Sequence, residues 1–478
     1  MFIFQAIVIV FLTYLLWSRR KLYKLSWQLS GPFAFPIVGN VLSMRQNKLH
    51  SYIDRLSKKY GSPFRLWFGP MLVVFITDAE NVEILLKSKD CLSKPETFYR
   101  TIKDGLGVDG LVTLKGDEWK VHRRLVSPTL SQHSVNAHLP VFNENIRKTI
   151  TNLPINGDFF DILPSIAKCK MTMFVEAALG SDWEPEMKQR YLHQYVAGVE
   201  IVAKRILQPL FHFDFVWNFT AAAKRLKEYN EYGHQLFEKM YYNEFKNEDD
   251  SGTFMKRLID VSKINPNFMK EDIFAETATI LTSATDTTST SSAYVALCLA
   301  MHPEYQEKVF QEILAVMPDK NANLSQIDLD KLTFLELCIK ETLRLFPTVP
   351  LIGRVASKPI KLSNNVEIPP GVPLVFGLRQ TQIQEKYYGP TANMFDPYRF
   401  LDENMKNVPA AAYIPFSYGP RNCIGYYYAK VAVKCFVAHL VRNYHLTTTY
   451  TSIDQLEFVK IVSLRLVKKH LIKLEPRP

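Results

Sequence analysis

One cysteine of the chain stands in a setting unlike that of the other five. In FSYGPRNCIG, residues 416–425, Cys423 lies between Gly419 and Gly425 and two residues after Arg421. A sulfur binds a metal as its thiolate, which needs freedom from neighbouring bulk and nearby amide donors, and glycines supply backbone freedom and close approach. The following run, YYYAKVAVKCFVAHLV, reads as a helix. Cys423 would then precede a helix amino terminus, whose dipole favours the thiolate. Arg421 adds a planar fork suited to a carboxylate. Taken alone, a single cysteine is more often a buried core residue, and only the surrounding pattern reverses that reading.

Two other stretches carry chemistry in their spacing. In KETLRLFPTVP, residues 340–350, Glu341 and Arg344 are three apart and share a helix face. Such a pair is commonly solvated and of little value. The apolar residues and prolines around it argue for burial, which is costly unless a third partner completes the pair. Residues 279–292, TILTSATDTTSTSS, place a run of small hydroxyl residues at the centre of a long helical segment, 271–300, whose positions Ile273, Ile280 and Leu281 are apolar. That run suits a helix passing close to a flat ligand, or one bent by hydroxyls bonding to its own carbonyls.

In its cysteine loop the chain resembles the cytochrome P-450 superfamily of heme-thiolate monooxygenases, whose signature F-x-x-G-x-R-x-C-x-G is met by Phe416, Gly419, Arg421, Cys423 and Gly425. The resemblance implies that Cys423 is the axial ligand of the heme iron, that Phe416 packs on the sulfur side of the loop and that Arg421 reaches a heme propionate. A proximal thiolate pushes electron density towards oxygen cleavage. The family motifs E-x-x-R and P-x-R-F are met by Glu341 and Arg344 and by Pro397, Arg399 and Phe400. They imply a structural Glu-Arg-Arg network under the proximal side of the heme. The W-x-x-x-R feature falls on Trp119 and Arg123 in GDEWKVHRR, residues 116–124, and a further propionate arginine on Arg354. His122 is read as outward or structural, and Gln382 stands where relatives commonly have histidine.

On the long helix the family pattern falls on Ser283, Ala284, Thr285, Asp286 and Thr287. It implies that Thr287 holds the water network of oxygen activation and that Asp286 supplies or relays protons, which is general acid work. Ala284 replaces the usual glycine and narrows the distal pocket. The chain resembles microsomal insect members of the branch that includes the fatty-acid omega-hydroxylase family, many of which carry at Ser283 a glutamate that becomes esterified to the heme. Serine cannot form that ester, so a non-covalent heme b is expected.

These residues need a large body to position them. The chain has 478 residues, 47% of them hydrophobic and 22% charged, which is globular and large enough to enclose a cofactor without metal or disulfide staples. The ordered motifs imply a mainly α fold with a smaller β-rich region. Helices are expected over 79–88, 117–126, 160–178, 222–245, 271–300, 303–316 and 330–345, a hairpin over 64–77 and short strands within 350–376. A loop over 95–112 with Phe98, Leu106 and Leu111, together with Val349 to Ile352 and Ala284, would line an apolar pocket for a hydrophobic small molecule.

The first 17 residues carry no charge and are followed by Arg19, Arg20, Lys21 and Lys24. Seventeen helical residues reach about 26 Å, close to a thin endoplasmic reticulum bilayer, and the basic block would stay cytoplasmic. The expected organisation is an anchor over 1–18, a basic and proline-rich hinge over 19–40 and one catalytic domain over 41–478, facing the cytosol from the endoplasmic reticulum membrane. A cleaved secretory signal is the rival reading of the first segment. Six cysteines without CxxC pairs fit a reducing compartment.

Lys and Arg exceed Asp and Glu by 58 to 47. No nucleic-acid motif accompanies that excess, so nucleic acid is not expected as a partner. The resemblance instead implies electrons from NADPH through a flavoprotein NADPH–cytochrome reductase, with cytochrome b5 as a second donor, docking near Lys120, Arg124, Lys430 and Lys434. The rival functions are a reductase-independent heme-thiolate isomerase or dehydratase, which Asp286 and Thr287 argue against, and a lipid- or odorant-binding protein without heme.

Overall fold

The computed structural model describes residue 5 and residues 17–35, 38–43, 49–180, 184–246, 252–459 and 462–477. Most of the expected anchor therefore lies outside the described residues. Among the described residues no helix is long and apolar enough to cross a membrane. The helices that bear on the site are labelled below in chain order.

A four-stranded sheet and a helical body build the molecule. Strands β1 (Phe64–Phe68) and β2 (Met71–Ile76) form the expected hairpin, paired from Phe64 with Phe75 to Phe68 with Met71. Strands β3 (Leu351–Val355) and β4 (Pro373–Gly377) join them in the order β1-β2-β4-β3, with β4 parallel to β2 and antiparallel to β3. Aromatic and β-branched residues fill these strands, and β2 is buried along nearly all its length because both faces of the sheet are covered. A smaller sheet pairs Leu471–Pro476 with Phe160–Asp161 and Tyr444–Thr447.

Helix α1 (Arg20–Gln28) packs on the large sheet rather than leading away from it. Its Leu25 and Ser26 are buried, Trp67 Nε1 donates to Ser26 Oγ at 3.1 Å and Arg65 Nε donates to Ser26 O at 2.8 Å. Helix α2 (Ala79–Lys87) is capped by Asp78, whose side chain accepts from Asn81 N–H. Helices α3 (Glu96–Leu106), α4 (Gly116–Val126), α5 (Leu163–Leu179), α6 (Pro185–Leu207) and α7 (Ala221–Lys246) follow.

Helix α8 (Lys270–Met301) is the axis of the body. Its 32 residues span about 48 Å and are buried over most of their length, which is why it shows no polar face. Helices α5, α9 (Thr333–Leu345) and α10 (Tyr426–Asn443) pack around it, α7 also rests on it, and α6 lies on α7 and α3.

The structure redraws several expected elements. Residues 96–106 are a helix, where a loop was expected over 95–112. The segment 160–178 begins as a strand and becomes helical only at Leu163, after Ile162 N–H bonds to His470 O. The segment 330–345 divides into Gln326–Lys331 and α9, the break falling at Leu332. Helix α6 was not anticipated at all, because the face it turns inward mixes Tyr191, Gln194, Tyr195 and Gly198 with valines and leaves little apolar period to read.

Candidate active site

The cysteine loop is held by its own backbone. Cys423 N–H donates to Phe416 O at 2.9 Å, Asn422 N–H to Gly419 O at 3.0 Å and Ser417 N–H to Ile414 O at 2.9 Å. Gly419 has φ +70°, and a Cβ there would clash with the Leu86 carbonyl oxygen at the end of α2, so both conformation and space require glycine. Gly425 is different. As the N-cap of α10 it has φ −89°, and a Cβ would meet only Cys423 Sγ, at 3.9 Å.

Cys423 is the one exposed cysteine, and its surface opens onto a cavity of about 540 Å³. The cavity walls still screen the sulfur from bulk water. That desolvation pushes the thiol pKa up, while the Gly425 N–H and the Arg123 charge pull it down. The other five cysteines are buried. For Cys91 and Cys435 burial pushes the thiol up to about 12, which leaves them unreactive.

Four cations line the same cavity: Lys94, Arg123, Arg354 and Arg421. The Arg421 guanidinium lies over the Trp119 indole, 4.1 Å from its centroid, and donates to Leu92 O, Leu111 O and Leu114 O at 3.1, 3.3 and 2.6 Å. Arg123 donates to Asn422 O and Asn422 Oδ1, both at 2.9 Å, and so ties α4 to the cysteine loop. Arg354 donates to Gly353 O at 2.8 Å and Lys94 to Val112 O at 2.6 Å. Among the described residues no carboxylate pairs with any of the four. Burial, reinforced by Arg354 and Arg123, lowers Arg421 to about 9, and burial with two neighbouring arginines holds Lys94 well below its ordinary range. Cations crowded in this way call for anionic groups on whatever binds between them.

The opposing chemistry comes from α8. Thr287 Oγ1 donates to Ser283 O at 2.7 Å and Thr288 Oγ1 to Ala284 O at 2.6 Å, so part of the hydroxyl run does bond to its own helix. Ser283, Ala284, Asp286 and Thr287 all line the cavity. Asp286 is buried and accepts from Arg465. Burial, and next the Asp286 charge, hold the neighbouring Tyr195 hydroxyl well above its usual range.

Support for the cysteine loop lies behind it. Arg344 Nε and Nη2 donate to the two oxygens of Glu341 at 2.7 and 2.8 Å, and Arg399 Nε donates to Glu341 Oε1 at 3.3 Å. Glu341 and Arg344 are fully buried, and Asp396 N–H adds a fourth bond to Glu341 at 3.0 Å. Gln382 bridges the two parts: its Nε2 donates to Leu343 O and Arg344 O, each at 3.0 Å, and its Oε1 accepts from Ile414 N–H at 2.7 Å, just before the loop.

Trp119, Arg123, Asp286, Thr287, Arg354, Phe416, Arg421 and Cys423 therefore meet around one cavity, and Phe98, Leu106, Leu111, Val349 and Ile352 line it as expected. Lys94 and Arg465 escaped sequence reasoning, since neither stands in a recognisable spacing. His122 is structural and buried, with Nδ1 2.7 Å from Glu276 Oε1. The expected basic docking face is smaller than foreseen. Lys430 and Lys434 both bond to Glu336, at 3.0 Å each, and Lys434 is buried, because one turn of α10 turns both towards α9. Lys120 and Arg124 remain exposed.

Comparisons with known proteins bear on the family of the whole chain. A family model described as cytochrome P-450 matches residues 29–473. The chain is 29% identical to probable cytochrome P-450 313a4 of Drosophila melanogaster, with 97% of each chain covered, and 28% identical to probable cytochrome P-450 313a5 of the same fly, with 99% of each covered. It is 28% identical to the fly's cytochrome P-450 4c3, over 92% of this chain and 88% of that protein. A mainly helical body with a smaller sheet, a cysteine facing a large cavity and a match over nearly its whole length place the chain in the cytochrome P-450 family of heme-thiolate monooxygenases.

Proposed function

We propose that the chain inserts one atom of dioxygen into a hydrophobic organic substrate and reduces the other to water, using NADPH electrons passed on by a separate flavoprotein reductase. The observation that carries this reading is the convergence on one cavity of the Cys423 sulfur, four cations that meet no carboxylate among the described residues, and Asp286 and Thr287. When bound, heme b supplies the iron centre at which dioxygen is activated.

The residues fit such a group. Cys423 would hold the iron through its sulfur, as the thiolate; burial favours the thiol there, while the Gly425 N–H and the Arg123 charge favour the thiolate that a cationic metal would require. Arg123, Arg354, Arg421 and Lys94 answer two propionate carboxylates, and Trp119, beneath the Arg421 guanidinium, fixes that fork in place. Phe416 packs between the cavity and Tyr426, ring centroids 4.8 Å apart, and shields the sulfur. Serine at 283 offers no carboxylate at that position to tie the heme covalently, and the Asp286 carboxylate is met by Arg465. Thr287, whose hydrogen goes to Ser283 O, presents its lone pairs to a water in the cavity, and Asp286 relays protons to that water.

Residues 1–18 anchor the chain in the endoplasmic reticulum membrane with the body on the cytosolic side. Lys120 and Arg124, beside the cysteine loop through Arg123, meet the acidic face of the reductase, and cytochrome b5 serves as a second donor. The deciding experiment is a carbon monoxide difference spectrum of the reduced, purified protein. A red-shifted Soret band is expected, and folded protein without heme absorption would sink the reading.

A further inference from the structure

The cavity carries more positive charge than the proposed cofactor answers. Among the described residues it is lined by four cations, one carboxylate and one histidine, and the carboxylate, Asp286, is met by Arg465. Ferric iron, the porphyrin and a thiolate ligand cancel one another in charge, which leaves the two propionate carboxylates of a heme to balance the four cations. Three of these are guanidinium forks, Arg123, Arg354 and Arg421, and three forks already exceed two carboxylates. Lys94 is the surplus.

Its surroundings hold that charge without cancelling it. Lys94 Nζ donates to Val112 O at 2.6 Å and lies 4.6 Å from the centre of the Tyr99 ring on α3. The charged groups that face it are Arg354 from β3 and Arg421 from the cysteine loop, both positive. Glu96, two residues along, is exposed and pairs with Lys115. A carbonyl and an aromatic face stabilise an ammonium but do not neutralise it. Beside two guanidinium groups such a charge is costly, and a further negative charge entering the site relieves it.

We infer, on the heme reading above, that Lys94 acts through space on electron entry: its charge raises the reduction potential of the bound iron. Reduction takes one electron from the flavoprotein reductase and turns iron(III) into iron(II), with no bond made or broken. The site then gains one negative charge, and a nearby cation favours the reduced side. Lysine differs from the three arginines because it alone gives up its proton in an accessible range of pH. The two guanidinium neighbours and burial ease that loss.

The test is a redox titration of the heme-loaded full chain, with dithionite as reductant and a dye of known potential as reference, so that the readout is a potential and not turnover. Lys94→Met should shift the equilibrium with the dye about tenfold towards iron(III), about 59 mV, and Lys94→Arg should keep the wild-type value. In wild type the equilibrium should move the same way as pH rises from about 7 to about 10, because the ammonium is lost, and in Lys94→Arg that movement should be at least about threefold smaller. An unchanged potential in Lys94→Met would overturn the inference, as would a Lys94→Arg potential as low as that of Lys94→Met. Should Lys94→Met fail to fold, the pH comparison of wild type with Lys94→Arg decides, and parallel curves overturn the inference. The carbon monoxide band of the same preparations reports separately on the heme: a normal band with an unshifted potential refutes the inference alone, and a wild type without the band refutes the heme reading and the inference with it.

Discussion

Arg465 donates to the carboxylate of Asp286, and Asp286 immediately precedes Thr287 on the cavity wall. The ion pair holds the carboxylate on the wall of the cavity that Thr287, proposed to hold the proton-delivering water, also lines. Thr287→Ala should therefore leave NADPH consumption running while organic product falls by about 100-fold and peroxide or excess water takes the electrons. Peroxide released per NADPH oxidised measures this. Unchanged coupling would place the proton path elsewhere.

Cys423→Ala should abolish the red-shifted carbon monoxide band while the far-ultraviolet circular dichroism stays that of a helical protein. The loop's backbone bonds do not need the sulfur, since the Cys423 N–H to Phe416 O bond survives the change. A variant keeping the wild-type band would refute the ligand assignment.

Glu341→Gln removes the charge that two buried guanidinium groups share. Breaking one side of a buried ion network costs about 3–5 kcal/mol. Urea denaturation should show a loss of that size together with lower heme content. A loss under about 0.5 kcal/mol would mean that the backbone carbonyls around Arg344 hold it unaided.

The two loop glycines should behave differently. Gly419→Ala meets both the left-handed φ and the Leu86 carbonyl and should cost at least about 2 kcal/mol. Gly425→Ala, at an ordinary φ and in ordinary contact, should cost less than about 1 kcal/mol. Equal costs in thermal or urea unfolding would contradict the close packing of Gly419 on α2.

The His122–Glu276 pair gives a pH dependence of stability. Burial opposes the His122 charge, but the bond to Glu276 and the nearby Asp272 and Glu118 outweigh it and raise the imidazole above its ordinary 6.5. Burial likewise raises Glu276 above its ordinary 4.5. Both groups then bind more protons folded than unfolded, so their contribution is complete below those ordinary values and is lost as pH rises through the folded ones. Relative to the double variant His122→Gln, Glu276→Gln, wild-type stability should fall as pH rises above about 4.5, with the His122 part lost above about 6.5. Urea titrations across pH 5 to about 9 read the difference, and a rise with pH would show the sign to be wrong.

What was legible in the residues was what short spacing encodes. The cysteine loop, the Glu341–Arg344 pair and the Trp119–Arg123 pair each lie within ten residues, where one helix or one turn fixes the geometry. The Asp286–Arg465 pair was not legible, because 179 residues separate its partners and only the fold brings them together. Lys94 gave no signal for the same reason: it gains its meaning from Arg354 and Arg421, which reach it from other elements. Helix α6 escaped notice because the side it turns to the cavity is built for a ligand and not for a core. Lys434 was misread as surface because charge alone did not reveal Glu336 across the α9–α10 contact.

The packing of Gly419 against Leu86 has a consequence for how such a chain can change over time. With no clearance beneath it, the loop that aims the sulfur tolerates neither a longer residue nor an altered course, and mutation there is filtered out at the level of folding. Helices α3, α6 and α7, which shape the far walls, also hold close glycines, but a Cβ at Gly105 or Gly107 would meet the replaceable side chains of Val202 and Asn230 where one at Gly419 meets backbone. A lineage can therefore rewrite its choice of substrate in those helices while inheriting its reactive end unaltered, and descendants of one such chain can diverge in diet without diverging in chemistry.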